Sequence, residues 1–175
     1  MNKTTYASET YRELFPQYDP TFLEADSYAV TACNFDFTLR EEQMRALYEY
    51  TRGRDVVNLQ TGFGKSLCYS LCPLICDSLR GVTSKELRSI LVLISPLKVL
   101  MDDQIFDLEQ HGLSSLKFTP NVSKEEILQI KCSNVQVLVL SPESFECVAV
   151  WRVLQAVKDR IHCVAIDEAH CIEHW

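Results

Sequence analysis

Three nearly unbroken runs of Val, Ile and Leu constrain this chain more than any other feature: Ser89-Ile-Leu-Val-Leu-Ile-Ser95, Val135-Gln-Val-Leu-Val-Leu-Ser141 and Ile161-His-Cys-Val-Ala-Ile-Asp167. A strand with one wet face alternates apolar and polar residues. A continuous run marks a strand covered on both faces, the environment of a parallel sheet. A shorter run, Asp55-Val-Val-Asn-Leu59, precedes them, and helical stretches near 65–79, 96–111, 123–131 and 143–159 fill the intervals. Strand alternating with helix predicts an α/β fold, a parallel sheet flanked by helices on both sides. In such sheets ligands bind outside the C-terminal ends of the strands.

Upstream, Thr38 with Glu41 three residues later reads as a capping box. Leu39, Gln43, Leu47 and Tyr50 then continue a helix that Gly53 ends. Residues 1–34 carry Tyr6, Tyr11, Phe15, Tyr18, Phe22 and Tyr28 without a clean period, and Pro16 and Pro20 punctuate them. They read as an N-terminal extension with a short helix near 8–15.

The 175 residues, 47% apolar and 23% charged, suit one soluble globular domain. No apolar run is long enough for a membrane span, and the first residues lack the apolar core of a secretion signal. None of the eight cysteines forms a Cys-x-x-Cys pair, so no zinc site is expected. Cys68, Cys72 and Cys76 would share a helix face. A three-cysteine metal site is one reading; small buried core residues are the favoured one. With no secretion signal the thiols are expected to be free. The net charge of −7 does not by itself suggest a nucleic-acid binder.

Two motifs sit at predicted strand ends. After the first strand comes Gln60-Thr-Gly-Phe-Gly-Lys-Ser66. Gly62 and Gly64 permit positive φ and let backbone N–H groups approach a phosphate. With a helix N-terminus behind them they make an anion site. Lys65 can reach β- and γ-phosphates, and the Ser66 hydroxyl can hold Mg²⁺. Leu59 stands where the general phosphate-loop template begins with glycine. The plainer reading, a glycine-rich turn, is disfavoured by the strand before and the helix after. The last strand ends in Asp167-Glu-Ala-His170. Asp167 can hold Mg²⁺ through water, and Glu168 can orient or deprotonate an attacking water. His170 would face the seam where a second domain closes. As a lone tetrapeptide it could be a solvated turn; at the tip of a buried strand, paired with the phosphate loop, it points to a nucleoside triphosphate site.

Together these motifs resemble superfamily 2 helicases, and RecQ-type DNA helicases in particular, over roughly residues 35–175. The resemblance implies a RecA-like P-loop NTPase domain using ATP and Mg²⁺. Leu39-Arg-Glu-Glu-Gln43 is similar to the family's adenine-recognition element, with Leu39 where an aromatic residue is usual. Gln43 would take the base edge and Arg40 its surroundings, while Gln60, Thr61, Gly62, Phe63, Gly64, Lys65 and Ser66 form the nucleotide loop. Ser95-Pro-Leu-Lys-Val-Leu-Met-Asp-Asp-Gln104 matches an element used against the DNA backbone. There Ser95 can cap a helix whose first turn holds Pro96, and Leu97 and Gln104 belong to the same element. Ser141-Pro-Glu143 resembles a second such contact, and Cys171-Ile-Glu-His-Trp175 the start of an aromatic loop that senses single-stranded DNA. Trp175 offers a stacking face.

The family reading is ATP-dependent 3′-to-5′ unwinding of single-stranded or forked DNA in repair and recombination, in the nucleus. The family's Ser-Ala-Thr element, second RecA-like domain, zinc module and winged helix would follow Trp175. Residues 35–175 therefore read as a first motor domain cut after the DEAH box and incomplete at its C-terminus. For this chain alone the expectation is weak Mg-ATP binding, little hydrolysis and no unwinding. The alternatives are a catalytically inactive ATP- or nucleic-acid-binding module and a fragment of a superfamily 2 RNA helicase.

Overall fold

The computed structural model describes residues 11–53, 62–132 and 134–168. The chain divides into two compact units, Met1–Val82 and Thr83–Trp175.

The first unit is helical among its described residues: α1 (Pro20–Ala32), α2 (Glu41–Thr51) and α3 (Lys65–Leu79). Asp19 starts α1, its Oδ1 accepting from the N–H groups of Thr21 and Phe22 at 2.9 and 3.3 Å. Pro20 fills the first helical position, where a missing N–H costs nothing. Phe22, Leu23, Ala25 and Ala29 are buried on α1, and α1 packs chiefly on α3, which buries Cys68, Leu71, Cys72 and Ile75. Burial pushes the Cys68 thiol up to about 12, so it is a core thiol, not a thiolate. The scattered aromatics have a spatial order that their spacing hides. Tyr11, Phe15, Tyr18 and Phe22 follow one another at ring separations of 5.9, 6.2 and 6.0 Å, and Tyr18 and Phe22 close on Tyr48 of α2 at 4.9 and 5.1 Å.

Two expectations change here. Residues 11–14 are helical, as expected for part of 8–15, but the longer helix α1 was not foreseen. Nor does Thr38 cap α2. The cap position is Arg40, and Gln43 Oε1 accepts from the Arg40 N–H at 3.0 Å. Glu41 is engaged elsewhere: its Oε1 accepts from Gln17 Nε2 at 2.9 Å and from the Tyr18 hydroxyl at 3.0 Å.

The second unit holds a parallel sheet of β1 (Ile90–Ile94), β2 (Ser115–Lys117), β3 (Val137–Leu140) and β4 (Ile161–Ile166), in the order β2-β3-β1-β4 among the described residues. Helices α4 (Lys98–Gln110), α5 (Lys124–Lys131) and α6 (Val148–Ala156) connect the strands. Ile90, Val92, Leu138 and Leu140 join Phe118, Ile130, Val150 and Leu154 in one apolar core. A capping box of Ser123 and Glu126 starts α5, with bonds of 2.7 and 3.1 Å.

The stretch expected as one helix over 143–159 is a 3-10 turn (Pro142–Glu146), α6 and a second 3-10 turn (Lys158–Arg160). The three-residue strand β2 was also unforeseen; Ser-Leu-Lys carries no apolar run. The runs on β1 and β3 are covered as expected, but β4 leaves Val164 56% and Ile166 40% exposed. Among the described residues β4 is an edge strand. The strand expected at 55–59 lies outside the described residues. Among the described residues no helix is long and apolar enough to cross a membrane.

Candidate functional site

In the first unit the phosphate-loop residues lead directly into α3. Gln60 and Thr61 lie outside the described residues. Gly62 and Gly64 have φ of +87° and +72°, the left-handed region that favours glycine. Gly64 is the cap position of α3, and with no side chain of its own it leaves the first N–H groups of that helix without a side-chain cap among the described residues. Gly62, Gly64 and Ser66 are exposed, and Phe63 and Lys65 half-buried. N–H groups without a side-chain cap among the described residues, the positive end of the helix dipole and an ammonium then occupy one turn, which suits an anion of the phosphate class. Ser70 Oγ donates to the Ser66 carbonyl at 2.7 Å, tying the first turn to the second and leaving the Ser66 hydroxyl out of that bond.

Gln43 is 95% removed from solvent, at 5% relative exposure, and both ends of its amide are engaged. Oε1 holds the Arg40 N–H, and Nε2 donates to the Phe63 carbonyl at 2.9 Å. The residue read as taking a base edge thus straps α2 to the glycine loop. The strap needs Gly64: a Cβ there would come within 2.6 Å of Gln43 Nε2. Arg40 is exposed, while Leu39 is buried at 3%, its N–H donating to the Tyr11 hydroxyl at 3.3 Å. Leu39 therefore offers no face for a base.

In the second unit Asp167 follows β4 and continues its ladder, donating its N–H to the Ile94 carbonyl at 2.9 Å. Each carboxylate oxygen accepts one bond: Oδ2 from Gln104 Nε2 at 2.6 Å, and Oδ1 from the Glu168 N–H at 3.0 Å. Glu168 has φ +50°, a conformation that costs a non-glycine residue about 1 kcal/mol or more. A carboxylate has about four acceptor directions. Among the described residues two remain on Asp167 for the waters of a hydrated cation, so the donor set fits Mg²⁺ held through water. His170 and Trp175 lie outside the described residues.

The strand-to-helix turn after β1 differs from the expected one. Ser95 does not cap a helix: it is 1% exposed, its N–H still donates to the Leu140 carbonyl at 2.8 Å, and its Oγ has no partner among the described residues. The ladder with β3 therefore runs through Ser95 and delays the helix. Pro96 precedes the helix instead of entering its first turn, and α4 begins at Lys98 with Leu97 at the uncapped start. Leu97 and Val99 are 50% and 83% exposed. Ser141 precedes the 3-10 turn, buried, with its Oγ 3.2 Å from Ser144 Oγ. The Ser141 hydroxyl bond holds the Glu143 carboxyl below its ordinary range. Sequence reasoning did not find the Gln104–Asp167 contact; 63 residues separate the two, and no local pattern marks such a pair.

The sequence model of the family described as DEAD/DEAH box helicase matches residues 40–175. The ATP-dependent helicase wrn-1 of Caenorhabditis elegans is 31% identical over 78% of this chain and 12% of its own length. The ATP-dependent DNA helicase hus2/rqh1 of Schizosaccharomyces pombe is 34% identical over 78% of the chain and 10% of its own length. The ATP-dependent DNA helicase RecQ of Synechocystis is 31% identical over 69% of the chain and 24% of its own length. The chain thus spans between a tenth and a quarter of the length of these relatives.

Proposed function

The chain belongs to the DEAD/DEAH box helicase family, and from that premise we propose that it is the ATP-binding part of a RecQ-type, ATP-dependent 3′-to-5′ DNA helicase. The observation that carries this reading is the uncapped start of α3 behind Gly62 and Gly64, with Lys65 and Ser66 on its first turn. Residues 35–175 are then the first motor domain and residues 1–34 a preceding extension.

In this reading the loop amides and Lys65 bind the β- and γ-phosphates. Arg40 and Gln43 lie toward the base, Gln43 acting from the loop it already straps. Bound Mg²⁺ supplies charge neutralisation at the phosphates; Ser66 and Asp167 are the residues that would hold it. Glu168 orients the attacking water and accepts its proton, and the tight Asp167–Glu168 turn fixes where that carboxylate begins. His170 stands at the domain seam. Single-stranded or forked DNA runs over the turns at Ser95-Pro-Leu97 and Ser141, with Trp175 stacking on a base. Unwinding by the whole protein draws on a second RecA-like domain and its arginine finger. A nuclear role in repair and recombination follows from the same reading. The named relatives are DNA helicases in two of three cases, which favours DNA over the RNA alternative.

The test is fluorescent ATP-analogue binding to the full chain with Mg²⁺, followed by hydrolysis with and without single-stranded DNA. Measurable but weak binding, lost by at least about tenfold in Lys65→Ala, is expected, with little hydrolysis; one lost charge-assisted phosphate contact is worth about that much. Equal binding by wild type and Lys65→Ala would refute the reading. Competition with single-stranded RNA separates the RNA alternative.

A further inference from the structure

Gln104 lies on α4, the helix whose exposed first turn is the candidate DNA contact, yet its side chain is turned to the carboxylate at the tip of β4. Nε2 donates to Asp167 Oδ2 at 2.6 Å. The amide orientation is fixed by chemistry, since a carboxylate accepts only and the carbonyl end facing it would be repelled. The other end, Oε1, is buried and has no partner among the described residues. A buried acceptor without a donor costs about 1–3 kcal/mol. Its place beside a carboxylate with open acceptor directions gives it a use: it can accept from a water carried by a cation. The neighbouring geometry is equally constrained. Asp167 is anchored to β1 through its N–H, and Glu168 closes on Oδ1 in a left-handed turn.

We propose that Gln104 is a positioning residue for the hydrated divalent cation: it orients the Asp167 carboxylate through Nε2, takes a metal-bound water through Oε1, and ties that carboxylate to α4. The proposal rests on the functional reading above. Its consequence is a mechanical link. Lys98, 70% exposed along its side chain, and Val99 open the helix that ends at Gln110. A rigid helix that moves when its first turn meets a DNA backbone carries Gln104 with it. The 2.6 Å bond to Asp167 then lengthens or shortens, and the metal site senses the strand.

The test uses the full chain with Mn²⁺ as probe, free Mn²⁺ being read by electron paramagnetic resonance in the presence of saturating ADP. Gln104→Met keeps the side chain's length and removes both polar ends. It is expected to raise the half-saturating Mn²⁺ concentration about tenfold, the equivalent of one hydrogen bond to a charged group. ADP affinity in excess chelator stays at the wild-type value, which a merely structural role would not allow. Single-stranded DNA shifts the Mn²⁺ half-saturation of the wild type and not of the variant. A second substitution, Gln104→Asn, keeps the amide but falls one methylene short, and gives the same loss if reach to Asp167 matters. Wild-type Mn²⁺ half-saturation in either variant overturns the proposal. So does a loss that appears equally in metal-free ADP affinity. No nucleotide-dependent Mn²⁺ uptake by the wild type would instead bring down the functional reading, and this inference with it.

Discussion

Asp26 sits on α1 with no exposure to solvent, and neither carboxylate oxygen has a partner among the described residues. Burial pushes its pKa from 3.8 to about 7. The nearby Tyr11 and Cys68 groups are both pushed up as well, by burial first and by Asp26 second, so they stay neutral while Asp26 titrates. The folded state therefore holds the Asp26 proton more tightly than the unfolded chain. Between pH 4 and pH 7 the unfolded chain releases that proton first, so stability falls as pH rises through this window and levels off above it. At 1.36 kcal/mol per unit, the whole shift is worth about 4 kcal/mol, and the part between pH 5 and pH 8 roughly 2–3 kcal/mol. Asp26→Asn keeps the shape and removes the ionisation. Urea unfolding followed by far-ultraviolet circular dichroism at both pH values gives the comparison. The wild type should lose roughly 2–3 kcal/mol more than the Asn variant between them. Parallel losses would refute the reasoning, because they would mean that Asp26 stays paired or hydrated when folded.

Two further outcomes rest on contacts of a single side chain each. Gly64→Ala places a Cβ within 2.6 Å of Gln43 Nε2 at a φ of +72°, so it should cost about 1–2 kcal/mol and weaken nucleotide binding together, measured by melting and by analogue titration. Arg160→Met removes the bonds from Nε to the Arg88 carbonyl and from Nη1 to the Ile130 carbonyl, both 2.9 Å, and should lower stability by about 1–3 kcal/mol, read from urea midpoints.

The sequence by itself determined the fold class. The runs on β1 and β3 have no polar residue to turn toward water, so only a strand covered on both faces accepts them, and the pairing is parallel as expected. Gly62 and Gly64 announced their left-handed backbone because no other residue adopts it as readily. Asp167 was legible as a strand tip for the same local reason. What tertiary structure alone decided are the partners across long separations. Glu41 was drawn away from a capping box by Gln17 and Tyr18. Ser95 stayed in the ladder because Leu140 offered a carbonyl, and α4 started later as a result. The aromatics of residues 11–22 found their order against Tyr48, not along their own helix. Gln43 became a strap and Gln104 a carboxylate partner because folding delivered Phe63 and Asp167 to them. Backbone preference and apolar periodicity act over a few residues and can be read along the chain. A hydrogen bond between side chains far apart in sequence depends on where two elements come to rest, and that is fixed only when the core closes.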